Sequence, residues 1–391
     1  MVQVASLFNQ LLQHFPRLEF AALVKKHKAE RAAKGFDCWT QFVAMMFCQL
    51  GHADSLREIC NGLSCCLGKL VHLGIAQAPN KSTLSYANQH RPAELYQQLF
   101  YTVLERFREQ QSLGARKRKF RFKNKLLSLD STTVSLCLSL FPWAQFRRTK
   151  GGVKAHVLLD HNDYLPRYVL LTPARASDVR MAHQFDLPQG SIVAVDRGYN
   201  DFRLFTRWIK AGVYFVTRPM HHMVYEVVKS QQPPPTSNIL SDEIIRFTSK
   251  KARQTFKHPL RRVVVWDEAN EREIVLLTNH CDFGATTIAN IYKDRWEIEL
   301  FFKALKQNLK IKSFVGTSEN ALRIQIWTAL LAMLLLKWLH HLSQAHWSLS
   351  NLATMLRLNL FTYRDLRSWL KDPFGTPPIV PGPKQLALAL A

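Results

Sequence analysis

Two short apolar runs, LLSL before Asp130 and SIVAV before Asp196, each end in a carboxylate followed by small or polar residues (DSTT, DRGYND). Each run reads as a strand, and the acid then sits at or near a strand end. In an α/β sheet that edge is where binding and catalytic sites form. One aspartate in such a setting is commonly a cap on the next turn or helix. Two on strands of one sheet, in a strongly basic chain, are less easily explained that way.

The segments around these runs alternate in type. LLSLDSTTVSL, VKAHVLLD and LPRYVLLT read as three consecutive strands, DVRMAHQF as a short helix and SIVAVD as a fourth strand. FRLFTRWIKAG is a helix ended by Gly212, and VYFVTR is a fifth strand. The order βββ-α-β-α-β over 126–218 predicts an α/β fold, a mixed five-stranded sheet with helices on both faces. Residues 219–286 interrupt it with a β-rich insertion, in which RRVVVWDEANEREIVLLTN is a hairpin turning at Glu268-Ala269-Asn270-Glu271. Helices return over 287–345, one running through Lys310 and another from Glu319 to Gln344, and shorter ones occupy 346–374. The tail, 375–391, is expected to be disordered because it is rich in Pro and Gly.

Residues 1–112 read as helical, with apolar positions recurring at three and four in SLFNQLLQHF, CWTQFVAMMFCQL and AELYQQLFYTVLERF. A set of short helices in a basic protein predicts a DNA-binding module, with a helical cap or dimerisation domain as the other reading. The linker, 113–125, carries Arg116, Lys117, Arg118, Lys119, Arg121, Lys123 and Lys125 with Phe120 and Phe122 between them. Placed directly before the first strand, it reads as a phosphate-contact surface rather than a merely solvated linker.

A third acid comes from helical spacing. In IYKDRWEIELFFKALKQNLK, Tyr292, Arg295, Glu299 and Lys306 fall within roughly 60° of one another at about 100° per residue. Glu297 lies about 160° from Glu299 and points elsewhere. An ordinary solvated face with an Arg295–Glu299 pair would show the same spacing.

Charge gives these acids a context. The formal net charge is +24, an excess of cations that favours a polyanionic partner, nucleic acid before an anionic membrane surface. The N-terminal segment lacks the long apolar core of a signal peptide, and the strongest apolar run, Ile326 to Leu336, is short for a bilayer. The seven cysteines form no CxxC pair and read as reduced thiols. The expected setting is cytoplasmic and DNA-associated, with no membrane partner. Three acids converging beside so much positive charge suit phosphodiester chemistry, in which two Mg²⁺ or Mn²⁺ ions activate the nucleophile and relieve charge on the leaving oxygen. Hard cations of this kind prefer carboxylate oxygens.

These motifs resemble the DDE transposases of the insertion sequence 4 family, which share an RNase H-like core. The resemblance rests on LDSTTV around Asp130, VDRGYND around Asp196, and Tyr292, Arg295, Glu299 and Lys306 in the register of the family signature. It implies that Asp130, Asp196 and Glu299 are catalytic metal ligands and that Tyr292, Arg295 and Lys306 hold the phosphates of the element's end. It also implies that Trp266, in the insertion, meets a flipped base, although a hairpin tryptophan is more often core. His156, Arg197 and Tyr199 are further candidates to line the site. The implied partners are double-stranded DNA, both terminal inverted repeats and target, and a second copy of the chain in a dimeric synaptic complex. Cut-and-paste transposition is the implied activity. Rival readings are an RNase H-like nuclease without strand transfer, a non-catalytic DNA-binding derivative, and a plain RNA-binding protein.

Overall fold

In the structure, a computed structural model, the described residues are 5–31, 33, 35–66, 68, 70–110, 119–147, 150–220, 223–235 and 237–379. Six helices come first: α1 (Leu7–Leu12), α2 (Arg17–Lys26), α3 (Cys38–Gly51), α4 (Leu56–Ser64), α5 (Lys81–His90) and α6 (Glu94–Gln110). Next are β1 (Leu126–Leu136), β2 (Gln145–Arg147), β3 (Lys150–Asp160), β4 (Leu165–Pro173), α7 (Asp178–Ala182), β5 (Ile192–Val195), α8 (Phe202–Lys210) and β6 (Tyr214–Thr217). The insertion supplies β7 (Tyr225–Gln231), β8 (Ile239–Phe247), α9 (Lys250–Thr255), β9 (Leu260–Asp267) and β10 (Arg272–Thr278). Five helices close the chain: α10 (Ala285–Asp294), α11 (Trp296–Asn308), α12 (Glu319–Leu342), α13 (Leu349–Asn359) and α14 (Leu366–Lys371).

Contacts divide the chain into two units, 1–113 with 304–391, and 114–303. The first is helical. Its central element is α12, whose residues from Ala321 to Leu336 are almost all buried, and α3, α5, α6 and α13 pack on it. The sequence reading grouped α12 with the sheet, but its apolar surface is covered by helices from the other end of the chain. A helix apolar all round needs such partners. It is the one helix among the described residues long and apolar enough to cross a membrane, and most of that stretch is buried inside the protein. Buried amides pin the packing: Gln41 Nε2 donates to Asn88 Oδ1 at 2.8 Å, and Asn320 Nδ2 donates to the carbonyls of Asn88 and Arg91 at 2.9 and 2.7 Å. Each satisfies a polar group that would otherwise cost about 1–3 kcal/mol in the core.

The second unit is built on one sheet of ten strands. Strands β1, β5 and β6 run parallel, and β3 and β4 add to β1 as an antiparallel meander. Strand β6 pairs β10 antiparallel, Leu277 opposite Thr217, and β9, β8 and β7 follow in turn. The five-stranded expectation is therefore too small. The insertion does not merely interrupt the sheet; its strand β10 takes up the open hydrogen-bonding edge of β6, an edge that proteins rarely leave bare. The hairpin joining β9 to β10 turns at 268–271, with Glu271 in the left-handed region (φ 48°). Helix α8 ends as expected at Gly212 (φ +67°), whose amide bonds the Ile209 carbonyl.

Helices cover both faces. Leu127, Leu129, Val193, Val195 and Phe215 pack with Phe205 and Trp208 of α8 on one side. Leu126, Ile192, Ala194 and Val216 pack with Ile288 and Ile291 of α10 on the other. Strands buried on both faces lose the alternation of a surface strand, which is why LLSL and SIVAV are nearly continuous apolar runs. Of the tail, residues 375–379 are described, and the Ile379 amide bonds the Tyr363 carbonyl at 2.6 Å. The remainder of that expected disordered segment lies outside the described residues.

Candidate active site

Register brings the first two acids together. Strands β1 and β5 pair from Leu126 opposite Ile192 to Leu129 opposite Val195, so Asp130 and Asp196 follow one step beyond the last pair. Neighbouring strands lie about 4.8 Å apart. Side chains alternate along a strand, so both acids share the parity of Leu126, Ile192 and Ala194 and belong to the α10 face. Strand β1 spans LLSLDSTTVSL as expected, so Asp130 lies within it and not at its end. It continues to Leu136, because Ser131 through Leu136 go on pairing with β3. Strand β5 is the one that stops, and its ending opens the sheet beside Asp130.

Backbone amides orient the two carboxylates. Ser131 N donates to Asp130 Oδ1 at 2.7 Å. Gly198 N donates to Asp196 Oδ1 at 2.8 Å, which caps the tight turn Arg197–Tyr199. The capping reading of Asp196 is thus literally true, and it fixes the carboxylate at the strand end. Thr217, fully buried on β6, donates its hydroxyl to the Asp196 carbonyl at 3.1 Å.

The predicted long helix is broken once, at Arg295. α10 ends at Asp294 and α11 starts at Trp296, with three-residue hydrogen bonds across the join (Arg295 N to Tyr292 O, Ile298 N to Arg295 O, both 3.2 Å). Burial of Ile288 and Ile291 against the sheet carries the next turn over the acids. There Arg295 reaches Asp130 Oδ2 with Nη1 at 3.5 Å and Glu299 Oε1 with Nη2 at 2.7 Å. The Arg295 guanidinium carbon lies 5.5 Å from the centre of the Tyr292 ring. Burial pushes the Asp130 carboxyl up to about 6; the charges of Asp196 and Glu299 push the same way, while the Ser131 amide and Arg295 oppose it. Burial also raises the Tyr292 hydroxyl above its ordinary value.

Two polar groups that sequence reasoning missed support this cluster. Asp294, buried just before Arg295, accepts from Lys119 Nζ and is bonded to His161 Nδ1 at 2.6 Å, and His161 Nε2 meets Ser128 Oγ at 2.7 Å. Asp178 accepts from Ser131 Oγ at 2.7 Å and from Lys154 Nζ at 3.1 Å, with His156 Nδ1 3.3 Å away. Burial drives the His156 imidazole down to about 4. Neither Asp294 nor Asp178 ends an apolar run, so only the tertiary structure relates them to Asp130. Tyr199 is buried, and Arg197 is half-buried.

Other candidates fall elsewhere. Lys306 lies on α11 two turns past Glu299, and burial lowers its ammonium below the ordinary value. Arg121 and Lys123 are exposed, Lys125 pairs with Asp160 at 2.8 Å, and Arg116, Lys117 and Arg118 lie outside the described residues. Trp266 is 37% exposed on β9, while Trp296, which the sequence reading did not single out, is 57% exposed beside Arg295.

A family model described as a transposase DDE domain matches residues 121–335, more than half of the chain. The chain belongs to the DDE transposase family. A second model, a domain of unknown function (DUF4372), matches residues 3–76. A protein of Sinorhizobium fredii named as a transposase, y4zB, is 30% identical over 300 residues, 76% of this chain and 82% of its own. A protein of Geobacillus stearothermophilus, named as a transposase for insertion sequence element IS5377, is 30% identical over 261 residues, 66% of this chain and 67% of its own. A solved piggyBac transposase synaptic complex with hairpin DNA aligns over 94% of this chain and 81% of that one, at 8% identity and a TM-score of 0.42.

A DDE transposase is a nuclease and transesterase that acts on DNA, here of the insertion-sequence kind, and its family uses divalent metal ions. The donor type around Asp130 suits such ions. The clustered donors are carboxylate oxygens, the ligands that hard divalent cations prefer. Asp130 also carries the repulsion of two neighbouring acids, which a cation would relieve. Among the described residues, no three acids, histidines or cysteines already stand in metal-binding reach. In this arrangement it is the Arg295 guanidinium that links Asp130 to Glu299.

Proposed function

We propose that this transposase cuts the ends of an insertion sequence and joins them to target DNA through Asp130, Asp196 and Glu299, which hold two Mg²⁺ or Mn²⁺ ions on an RNase H-like core. The observation that carries the reading is the placement of Asp130 and Asp196 one residue beyond the last β1–β5 pair, on the face where Arg295 bridges Asp130 and Glu299. An antiparallel meander followed by parallel β5 and β6, with helices on both faces, supports that core. Bound between the carboxylates, the ions supply an activated nucleophile and neutralise the leaving oxygen.

The chain's own groups do the rest. The Ser131 and Gly198 amides hold one oxygen of each aspartate and leave the carboxylate planes fixed. Arg295 bridges Asp130 and Glu299, and its planar fork suits a phosphate of the element's end. Tyr292, beside Arg295, extends that phosphate contact, Lys306 on α11 is a further phosphate ligand, and two copies of the chain bring two ends together. In strand transfer the terminal 3′-hydroxyl oxygen forms a bond to a target phosphorus, and the bond from that phosphorus to the target 3′-oxygen breaks.

The experiment is a strand-transfer assay with a precleaved end in Mg²⁺. Asp130→Asn, Asp196→Asn and Glu299→Gln each abolish joining while binding of the end survives, and Glu297→Gln keeps activity. An active Glu299→Gln with an inactive Glu297→Gln removes Glu299 from the site.

A further inference from the structure

The domain of unknown function at the start of the chain contains a groove of about 580 Å³, with an apolar floor of Phe20, Ala21, Val24 and Trp39, and Arg17, Lys25, Lys28, Arg31 and two acids around it. The acids are directed to backbone amides. Glu30 Oε1 accepts from Cys38 N, and Asp37 Oδ1 accepts from Thr40 N at 2.7 Å as the cap of α3. The four cations are exposed; the charge of Asp37 acts on Arg17, and among the described residues no acid lies within 4 Å of any of the four.

One of the cations is stacked on a ring. The Arg17 guanidinium carbon lies 3.8 Å from the centre of the Trp39 ring, whose indole N–H donates to the Leu73 carbonyl at 3.0 Å. Phe20 meets the Trp39 ring edge-on at 5.4 Å. At the edge of the ring is Gly74 (φ +75°), where a Cβ would come within 2.9 Å of Arg17 Nη1 and 3.3 Å of Trp39 Nε1. Stacked on one aromatic face beside bare backbone, Arg17 has fewer rotamers to give up on binding than a free arginine. Stacking of this kind leaves the edge of the guanidinium fork available to an anion.

We infer that this groove is a docking site for the phosphate backbone of duplex DNA. The cations are strung along α2 and the turn after it rather than converging on one point, as a pocket for a small phosphate would require. Helix α2 has ten residues and is about 15 Å long, which matches the rise of about four phosphates on one strand. Trp39 is covered by Arg17, so no ring is offered to a base and the contact is independent of sequence. The inference rests on the reading that the chain processes DNA, and it gives the helical unit the task of gripping the duplex.

The test uses the full chain carrying Arg17→Gln, Lys25→Gln, Lys28→Gln and Arg31→Gln, and a second variant with Lys25→Gln and Lys28→Gln that leaves the Trp39 stack intact. Affinity for a labelled duplex bearing the element's end is measured against salt. The four-site variant binds about 10–100-fold more weakly, and its log K against log salt slope is shallower by about 0.9 for each lost phosphate contact. The two-site variant shows about half that change in slope, and for both the loss in Mg²⁺-dependent cleavage lies in KM. An unchanged slope in both variants overturns the groove. So does displacement of the duplex by millimolar inorganic phosphate, or loss of binding to phosphatidylserine vesicles with duplex binding intact. Absence of Mg²⁺-dependent cleavage by the unaltered chain defeats the underlying reading instead.

Discussion

The Arg295 guanidinium joins two acids that are 169 positions apart in sequence, with Nη1 3.5 Å from Asp130 Oδ2 and Nη2 2.7 Å from Glu299 Oε1. Its side chain is 10% exposed, that of Asp130 19% and that of Glu299 35%. The pair with Glu299 is therefore partly screened, and the contact with Asp130 less so. Arg295→Gln leaves two acids facing each other and costs about 1–3 kcal/mol, between the values for exposed and buried pairs. Mg²⁺ replaces the missing charge, so it raises the denaturant midpoint of the variant by more than that of the unaltered chain. Equal metal stabilisation of both proteins means that Arg295 does not offset the charge of Asp130 and Glu299.

Two groups near the site titrate with opposite consequences. Asp130 is raised from 3.8 to about 6, so the folded protein holds a proton that the unfolded chain releases. Its penalty is absent below pH 3.8 and complete above pH 6, and stability falls as pH rises through that window. At about 1.4 kcal/mol per pKa unit the effect reaches up to about 3 kcal/mol. His156 is lowered from 6.5 to about 4, so its charged form is disfavoured in the fold and stability rises between pH 4 and 6.5. The two effects largely cancel in the unaltered chain. Asp130→Asn removes one of them and exposes the other: its stability climbs from pH 4 to 6.5, and at pH 7 it exceeds that of the unaltered chain. Urea titrations at several pH values measure this, and a flat profile for Asp130→Asn contradicts it.

The site was legible where it follows from local pattern. An apolar run followed by Asp130 or Asp196, and a helix with Tyr292, Arg295 and Glu299 on one face, are properties of a few consecutive residues. What escaped the sequence depends on partners far along the chain. Strand β10 gives no sign of its own that it pairs with β6, and the apolar residues of α12 do not say which helices cover them. The break at Arg295 was hidden because Arg295 itself keeps a helical backbone (φ −52°, ψ −28°). Asp294 and Asp178 look like ordinary surface acids until the fold surrounds them.

Asp294 anchors that break. Its carboxylate, 1% exposed, takes Lys119 and His161, and His161 passes the contact to Ser128, two residues before Asp130 on the same face of β1. Asp294→Ala leaves a buried imidazole and the Ser128 hydroxyl poorly held, and it loosens the turn that aims Arg295. The expected result is a kcat lower by about 10–100-fold, the range seen when the groups that orient an active site are removed. Asp294→Asn retains most of the activity because an amide oxygen still accepts one of these bonds. Single-turnover cleavage at saturating DNA separates this from a binding defect; a loss confined to KM tells against a positioning role.

Ser131 ties Asp178 to the site, with its amide on Asp130 and its hydroxyl on Asp178. Asp178 is itself held by Lys154, whose ammonium also donates to the Ala176 carbonyl at 3.1 Å. Removing the carboxylate frees the Ser131 hydroxyl and leaves Lys154, 13% exposed, without its counter-charge. Asp178→Ala therefore lowers kcat by about tenfold or more, and Ser131→Ala by less, because the backbone amide still reaches Asp130. If Asp178 acts through Ser131, the double variant is little worse than Asp178→Ala alone, since the second change removes a contact already lost. Strict additivity of the two effects in strand-transfer rates separates Asp178 from Ser131 and leaves its acid a purely structural partner of Lys154 and His156.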